Sequence, residues 1–273
     1  IGAAYGNHAS LVLDFWLDRA DGGLVPTHLL VIVAVGAAIG FLGGLLGKGG
    51  SAIATPVLVA FGVPPIVALA APLPATVPGT LVAADSYRRA GHIDRDVLVW
   101  SLVAGIPATI VGAYASRFVD ARALVLVTDA MIAVLGIRMV LSASEAPAVA
   151  PMPVRRSLIL AVAIVTGLAA GLLANSGGFL LAPLFIAVLG MGIKPALGTS
   201  LAVAAVLAVP GTLIHLALGH LDVAVVAAFA LGSVPLSRYG ARVGLRTDPT
   251  RLERGYGVAL FVLGTAFLLT AFV

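Results

Sequence analysis

The sequence contains no cysteine and few charged residues. Without cysteine there can be no disulfide framework, thiolate metal site or cysteine nucleophile. Asp, Glu, Lys and Arg make up only 10% of the 273 residues, against roughly 25% in soluble domains. A water-soluble fold of this size could not cover its surface with so few charges, so the excess of apolar residues must face lipid. The composition predicts an all-α, polytopic membrane protein.

The remaining charges also exclude several classes of function. The net charge is +4, but the basic residues lie mainly between apolar runs, where they orient membrane segments. We therefore expect membrane lipid around this chain and no nucleic acid. The five histidines are scattered without metal-ligand spacing, and no hydrolase signature appears. The sequence predicts no catalytic residue, no metal site and no cofactor, and hence a protein that is not an enzyme.

Ten apolar runs follow one another, and most have the roughly 17 to 25 residues of a membrane helix. The two shortest, 51–61 and 178–189, are expected to form broken or re-entrant half-helices, which gives about 8–10 membrane segments. The runs are 29–46, 51–61, 65–84, 97–116, 121–141, 158–174, 178–189, 195–217, 223–237 and 255–273. The predicted organisation is an N-terminal extramembrane or interfacial segment (1–27), a first membrane repeat (28–141), a linker (142–156) and a second membrane repeat (157–273).

The two halves form an internal repeat. Gly40 and Gly44 recur as Gly167 and Gly171 at an offset of 127, each pair followed by two leucines. A Gly-His-x-Asp string that ends at Asp94 recurs at an offset of 128, and both of its aspartates are predicted helix N-caps. An ordered series of matches indicates duplication, a common architecture of secondary transporters.

The placement of Lys and Arg distinguishes two topologies. If each short segment completes the preceding helix, the basic residues other than Lys48 divide eight against seven between the two sides. If each short segment turns back on its partner, the division becomes twelve against three. The positive-inside rule favours the second arrangement, with the basic side cytoplasmic. It predicts inverted repeats and both termini outside.

Each half carries a Gly-rich break followed by a proline. The first reads Gly43-Gly-Leu-Leu-Gly-Lys-Gly-Gly-Ser-Ala-Ile-Ala-Thr-Pro56, and the second reads Gly171-Leu-Leu-Ala-Asn-Ser-Gly-Gly-Phe-Leu-Leu-Ala-Pro183. Irregular backbone inside a bilayer is tolerated only against protein or a wet cavity. Paired breaks mark a transporter's substrate site, and a half-helix beginning near Ser51 or Gly178 would direct its positive dipole end at an anion.

Lys48 lies within the first break, although a charge at the bilayer centre costs roughly 2.5–3.5 kcal/mol. We expect it to pair with an anionic substrate; the alternative is an interfacial lysine whose ammonium reaches the headgroups. Asn175, at the corresponding position, could donate hydrogen bonds to the same ligand, while the small hydroxyl residues either bind the ligand or only help helices pack. The predicted substrate-binding residues are Lys48, Gly49, Gly50, Ser51, Thr55, Asn175, Ser176, Gly177 and Gly178.

Asp129 is the candidate for ion coupling because it lies near the middle of a long apolar run. It could carry protons, pair with Lys48 or Arg138, or bond to a neighbouring helix. The string Gly-Lys-Gly is not a phosphate-binding loop, since Leu42 and Gly49 stand where that loop needs Gly and Ser or Thr. Active transport by this chain would therefore draw on an ion gradient.

The chain resembles the sulfite exporter TauE/SafE family of membrane permeases from about residue 29 to its end. The resemblance rests on both Gly-rich breaks, on Ala-Pro-Leu-Pro-Ala-Thr-Val-Pro-Gly-Thr80 and on the Arg-Ala-Gly-His-Ile-Asp94 loop. It implies an inner-membrane permease for a small sulfur-containing or organic anion, such as sulfite or a sulfonate, coupled to the proton or membrane-potential gradient. The chain has Lys48-Gly-Gly-Ser51 where the family's commoner signature has three glycines and an aliphatic residue.

Three classes of function follow. The first is a secondary transporter with the two breaks converging near the midplane. The second is a passive anion channel, which needs a continuous wet path. The third is a membrane enzyme or assembly factor, which has no need of a break in both halves. A homo-oligomer is compatible with each of them.

Overall fold

The computed structural model is helical, without strands, in the residues it describes. These are 26–47, 54, 57–58, 61, 63, 67–68, 71–115, 133–134, 136–138, 140–141, 155–172, 177–217 and 221–271. The predicted all-α class is confirmed for this part of the chain. In chain order the helices are α1 (Pro26–Leu46), α2 (Pro72–Arg89), α3 (Arg95–Ala115), α4 (Arg156–Leu172), α5 (Gly178–Ala187), α6 (Ile193–Ala217), α7 (Val223–Arg246) and α8 (Pro249–Ala271).

Four of the described helices are long and apolar enough to cross a membrane. The spans lie in α1, α3, α6 and α7, and α4 is a shorter apolar helix of 17 residues. Large apolar side chains are exposed on the outer faces, for example Val103 of α3 and Leu231 of α7. Such faces are expected of helices that contact lipid rather than water.

The aspartates predicted as helix N-caps occupy those positions. Asp222 precedes α7, and its Oδ1 accepts the N–H groups of Ala224 at 2.9 Å and Val225 at 3.2 Å. Asp94 precedes α3, and its Oδ1 accepts the N–H of Val97 at 3.0 Å. Both predictions are confirmed, because a carboxylate just before a helix satisfies donors of the first turn.

Helices α2 and α7 continue past the C-terminal ends of the apolar runs that predicted them. α2 begins at Pro72 and continues to Arg89, where Asp85 forms ion pairs with Arg88 at 2.6 Å and Arg89 at 2.7 Å. α7 continues past the end of run 223–237 to Arg246. Arginine is a good helix former whose long side chain reaches water from below the membrane surface, so loss of apolar character does not end a helix.

Glycines hold α1 and α7 in close contact. A Cβ atom on any of three α1 glycines would overlap backbone atoms of α7, so no larger residue fits there. The contacted residues of α7 advance in the same order as the glycines, and the two helices therefore run parallel. The pairs are Gly36 with Phe229, Gly40 with Ser233, and Gly44 with Ser237.

α3 and α4 form a second close pair. Gly167 of α4 approaches the backbone of Gly105, and Gly171 approaches the backbone of Thr109. The contacted residues again advance together along both helices. This pair is therefore parallel as well.

One end of the bundle collects basic residues and is called the basic end below. Here Lys194 Nζ, at the start of α6, donates to the carbonyl oxygen of Leu245 at 2.9 Å, near the end of α7. Thr199 Oγ1 of α6 accepts the N–H of Asp94, just before α3, at 3.0 Å. The guanidinium of the first residue of α4 lies 5.0 Å from the centre of the Trp100 ring. The basic end carries Arg88, Arg89, Arg95, Arg155, Arg156, Lys194, Arg242 and Arg246.

Candidate functional site

The two predicted breaks fall partly within the described residues. Gly177 and Gly178 of the second break are described. Eight other predicted site residues lie outside the described residues. They are Lys48, Gly49, Gly50, Ser51, Thr55, Asp129, Asn175 and Ser176.

The second break ends at Gly177, whose φ of 69° lies in the left-handed region that favours glycine. Its carbonyl oxygen accepts the N–H groups of Leu180 at 3.1 Å and Leu181 at 3.2 Å, closing the first turn of α5. Gly177 and Gly178 are both buried. The ten residues of α5 span about 15 Å, half the thickness of a bilayer. The predicted short helix beginning at Gly178 is confirmed.

α5 begins deep inside the protein. A Cβ atom on Gly177 would lie 3.0 Å from the Ala170 side chain and 4.0 Å from that of Leu207 on α6. Leu207 lies fourteen residues, or about 21 Å, along α6 from the basic end. Leu180 and Phe185 of α5 are fully buried, so this short helix is surrounded by protein. That environment is the one in which a membrane protein tolerates an interrupted helix.

The first break begins where α1 ends. Gly47 follows the last residue of α1 and has a φ of 65°. The Ser200 hydroxyl on α6 lies 3.1 Å from the Gly47 carbonyl oxygen and 2.9 Å from that of Leu197, so these two acceptors share its one proton. The Gly47 backbone also lies against Leu197. Ser200 precedes Leu207 by seven residues, or about 10 Å along α6. The start of the first break therefore contacts α6, and the end of the second lies near the same helix, roughly one to two turns further along it.

A small central cavity lies between α1, α2, α6 and α7. The cavity lies deep in the bundle, because its lining residue Ser233 precedes the end of α7 by thirteen residues, or about 20 Å. On α1 the cavity reaches Gly43 and Gly44, in the last turn before the first break. The lining residues are Ile39, Gly40, Gly43, Gly44, Ala75, Thr76, Gly79, Thr80, Leu201, Phe229, Ser233 and Ser237.

Four hydroxyl side chains supply the polar lining of the central cavity. Thr76 Oγ1 donates to the Pro72 carbonyl at 2.8 Å, and Thr80 Oγ1 donates to the Thr76 carbonyl at 2.7 Å. On α7, Ser237 Oγ donates to the Ser233 carbonyl at 2.8 Å. The Ser233 hydroxyl is buried and has no hydrogen-bond partner among the described residues.

These four residues are not among the site residues predicted from the sequence. Thr76 and Thr80 are four positions apart, as are Ser233 and Ser237, so each pair lies on one face of its helix. Two such pairs of hydroxyl residues were the sequence pattern from which the site could have been predicted. Small hydroxyl residues also occur wherever membrane helices pack closely, so the signal did not separate a site from ordinary packing.

His92 lies at the basic end and should make stability depend on pH. Burial, and then the positive charge of Lys194, lower the pKa of His92 below its ordinary value of 6.5. The unfolded chain therefore binds more protons just below pH 6.5, and stability falls as the pH drops through this range. We expect a lower melting temperature at pH 5.5 than at pH 7.5 in detergent. His92→Gln should reduce the difference in melting temperature between the two pH values. If the difference is unchanged in this variant, groups other than His92 cause it.

These features define a helical membrane protein with a short buried helix, α5, and a small central cavity lined by apolar and hydroxyl side chains. The comparisons with known proteins agree that it is a membrane protein. The family model described as "Sulfite exporter TauE/SafE" matches residues 32–267. The chain therefore belongs to the sulfite exporter TauE/SafE family of membrane transporters.

Relatives with similar sequences are named as transporters. A "Probable membrane transporter protein" of Xylella fastidiosa (strain 9a5c) is 28% identical over 251 residues, covering 86% of this chain and 95% of the relative. A second protein of that name, from strain Temecula1, is 31% identical over 182 residues, covering 63% and 68%. "Probable membrane transporter protein YjnA" of Bacillus subtilis is 25% identical over 235 residues, covering 81% and 92%. No solved structure matches the chain significantly.

Proposed function

We propose that this protein is a secondary transporter, and not an enzyme, for a small sulfur-containing or organic anion such as sulfite or a sulfonate. The observation that carries the proposal is that Gly47 contacts α6 in the protein interior and that Gly177 is buried near Leu207 of the same helix. Transporters place substrate sites where interrupted helices meet near the midplane. The drive is the proton gradient or the membrane potential.

We further propose that the two halves are inverted repeats. Gly40 approaches Ser233 where α1 meets α7, and Gly167 approaches Gly105 where α4 meets α3. Gly167 follows Gly40 by 127 residues and Ser233 follows Gly105 by 128, so the two contacts are equivalent under the repeat. The contact of Gly44 with Ser237 corresponds in the same way to that of Gly171 with Thr109. Equivalent contacts in two parallel helix pairs support a duplicated architecture. Rocking of one half against the other would then expose the site alternately to each side.

The basic end is proposed to face the cytoplasm of the inner membrane, with both termini outside. Its concentration of Arg and Lys supports this orientation under the positive-inside rule. With this orientation, the chain would run toward the basic end along α1 and α7, and away from the basic end along α3, α4 and α6. Membrane lipid is the expected surrounding partner and nucleic acid is not a ligand; a second copy is compatible with the exposed apolar faces.

Lys48 is the proposed cation for the substrate. It follows Gly47 directly and Gly44 by four residues, so the covalent chain keeps its Cα within about 15 Å of a cavity-lining residue. The half-helix N-terminus at Gly178 and the amide of Asn175 would add donors for the anion. The rest of the proposed contacts are with Gly49, Gly50, Ser51, Thr55, Ser176 and Gly177. Asp129 is the proposed ion-coupling group.

The test is substrate movement in proteoliposomes that contain the purified protein. Labelled sulfite and sulfoacetate are supplied with and without an imposed pH gradient, and then with the membrane potential clamped. We expect saturable flux and accumulation of one anion against its own gradient. Flux that only follows the electrochemical gradient would favour the passive anion channel. Absence of flux for both anions would reject the proposed substrate class.

A further inference from the structure

We propose that the basic end binds an anionic phospholipid where the α3–α4 helix pair begins, with phosphatidylglycerol as the probe. Arg155, Arg156 and Trp100 form the headgroup site, and the exposed apolar faces of α3 and α4 contact the acyl chains. This site goes beyond the proposed function, because it concerns a lipid held at the protein surface and not the transported anion.

The headgroup site brings the arginines of two helices to one level. α3 and α4 are parallel, and Gly105 and Thr109 of α3 each contact the residue 62 positions later in α4. In this register Arg95 is level with residue 157, so Arg155 and Arg156 lie within about 3 Å of it along the helix axes. All three arginines are exposed.

The two arginines at the beginning of α4 have unused hydrogen-bond donors. Within the described part of the chain, the side chains of Arg155 and Arg156 form no hydrogen bond and no ion pair. α4 contains no acidic residue. Asp94 and Asp96, at the beginning of α3, form no ion pair with these arginines, and Asp94 Oδ1 is occupied by the N–H of Val97. The two guanidinium groups are therefore available to an external anion.

The arginines of α2, at the same end of the bundle, are already paired. Arg88 and Arg89 share the carboxylate of Asp85 at 2.6 and 2.7 Å. Their exposure is similar to that of the α4 arginines, but their charge is partly compensated within the protein. The uncompensated charge at this end is thus concentrated beside α3 and α4.

Trp100 orients one of the two available guanidinium groups. The Arg156 guanidinium lies over the Trp100 ring, 5.0 Å from its centre, and this cation–π contact joins the beginning of α4 to α3. A guanidinium stacked on a ring keeps the N–H groups at its edge free, and these match two phosphate oxygens at once. Tryptophan is enriched at the boundary between headgroups and acyl chains, so the contact lies at the level where a lipid phosphate is expected.

The faces that follow the arginines along both helices are apolar and exposed. On α3, Val99 and Val103 follow Arg95 at a spacing of four residues, so the three share one face, and the valines are 53% and 56% exposed. On α4, Leu158 and Val165 are 39% and 50% exposed. Acyl chains would cover these faces while the phosphate contacts the arginines.

The charge of this surface favours lipid over a second copy of the chain. In a two-fold interface a surface patch meets itself, so Arg155 and Arg156 would lie opposite the same arginines of the other copy. Like charges placed opposite one another disfavour such a contact. An anionic phospholipid supplies both the negative charge and the apolar chains that this surface lacks as partners.

The test measures lipid-dependent thermal stability of the purified protein in a neutral detergent. Phosphatidylglycerol is compared with phosphatidylcholine at equal lipid-to-protein ratio, and with glycerol phosphate, which has the charge but no acyl chains. We expect saturable stabilisation by phosphatidylglycerol alone, because a ligand that binds the folded state raises its stability. Equal melting temperatures in the two lipids would overturn the proposal. Equal stabilisation by glycerol phosphate would assign the arginines to a soluble anion and overturn it as well.

Variants of equal charge locate the site. Arg156→Gln should raise the half-saturating phosphatidylglycerol concentration about fivefold, as the loss of one arginine at an anionic lipid surface implies. Arg156→Lys should raise it less, because lysine keeps the charge without the planar pair of donors. Arg89→Gln removes the same charge from an arginine that shares Asp85, and should leave the concentration nearly unchanged. Equal effects of Arg156→Gln and Arg89→Gln would overturn the local site.

A second readout uses the unmodified protein and does not depend on the folding of any variant. Native mass spectrometry should show more phosphatidylglycerol than phosphatidylcholine molecules retained from an equal mixture, and equal retention would overturn the proposal.

The result is separable from the proposed function. Phosphatidylglycerol stabilisation that is weakened by Arg156→Gln and kept in Arg89→Gln supports the lipid site even if neither sulfite nor sulfoacetate moves. Gradient-driven anion flux, together with equal stability in the two lipids, would overturn the lipid site and leave the transporter in place.

Discussion

Lys48→Ala should reduce gradient-driven anion flux by about thirtyfold or more, because removing one partner of a desolvated charge pair costs about 2–5 kcal/mol. Lys48→Arg should retain part of the flux, since its positive charge persists while its shape and donor geometry differ. Both are measured in proteoliposomes at equal protein insertion.

The matched control is the only other lysine of the chain, Lys194. It lies at the basic end, where its ammonium donates to the carbonyl of Leu245, away from the central cavity. Lys194→Arg should transport at close to the unmodified rate. Full flux from a well-inserted Lys48→Ala protein would remove Lys48 from the substrate site and favour the interfacial position for its ammonium.

Gly44→Leu should prevent α1 and α7 from packing and leave little folded protein. A Cβ on Gly44 would overlap the carbonyl oxygen of Ser237, and this backbone contact cannot be relieved by a side-chain rotation. Overpacking usually costs about 1–3 kcal/mol even where side chains can move aside. The measurements are the yield of monodisperse protein in detergent and its melting temperature.

Gly255→Ala is the control for this second variant. Gly255 is exposed in α8, and a Cβ there would meet nothing within 4 Å. Alanine is favoured over glycine in a helix by about 1 kcal/mol, so this variant should be as stable as the parent or more so. A Gly44→Leu protein that melts at the parental temperature would contradict the close α1–α7 contact.

Those features of the fold and site that depend on local chemistry are predictable from the amino-acid sequence. Few charges and long apolar runs predicted a helical membrane protein because the bilayer requires every backbone polar group to be satisfied within a segment. The N-caps at Asp94 and Asp222 and the short helix beginning at Gly178 were predicted from neighbouring residues, and the structure confirms each. The resemblance to the TauE/SafE family was likewise visible in the motifs and agrees with the family match.

The ends of helices were less predictable. α7 passes from its apolar run into a segment with three arginines without a break, because arginine side chains extend to the membrane surface while the backbone remains helical. A hydropathy pattern therefore located the helix but placed its end nine residues too early, at Ser237 instead of Arg246.

The central cavity depended on tertiary structure. Its walls come from α1, α2, α6 and α7, which are far apart in the chain, and no local pattern states that Thr80 and Ser233 line one space. In an apolar membrane sequence, the faces that meet lipid and the faces that meet other helices have nearly the same composition. Composition and spacing thus determined the class of this protein and the short helix that begins at Gly178, and its motifs carried the resemblance to the family. The packing of glycines against backbone decided which polar side chains were brought together.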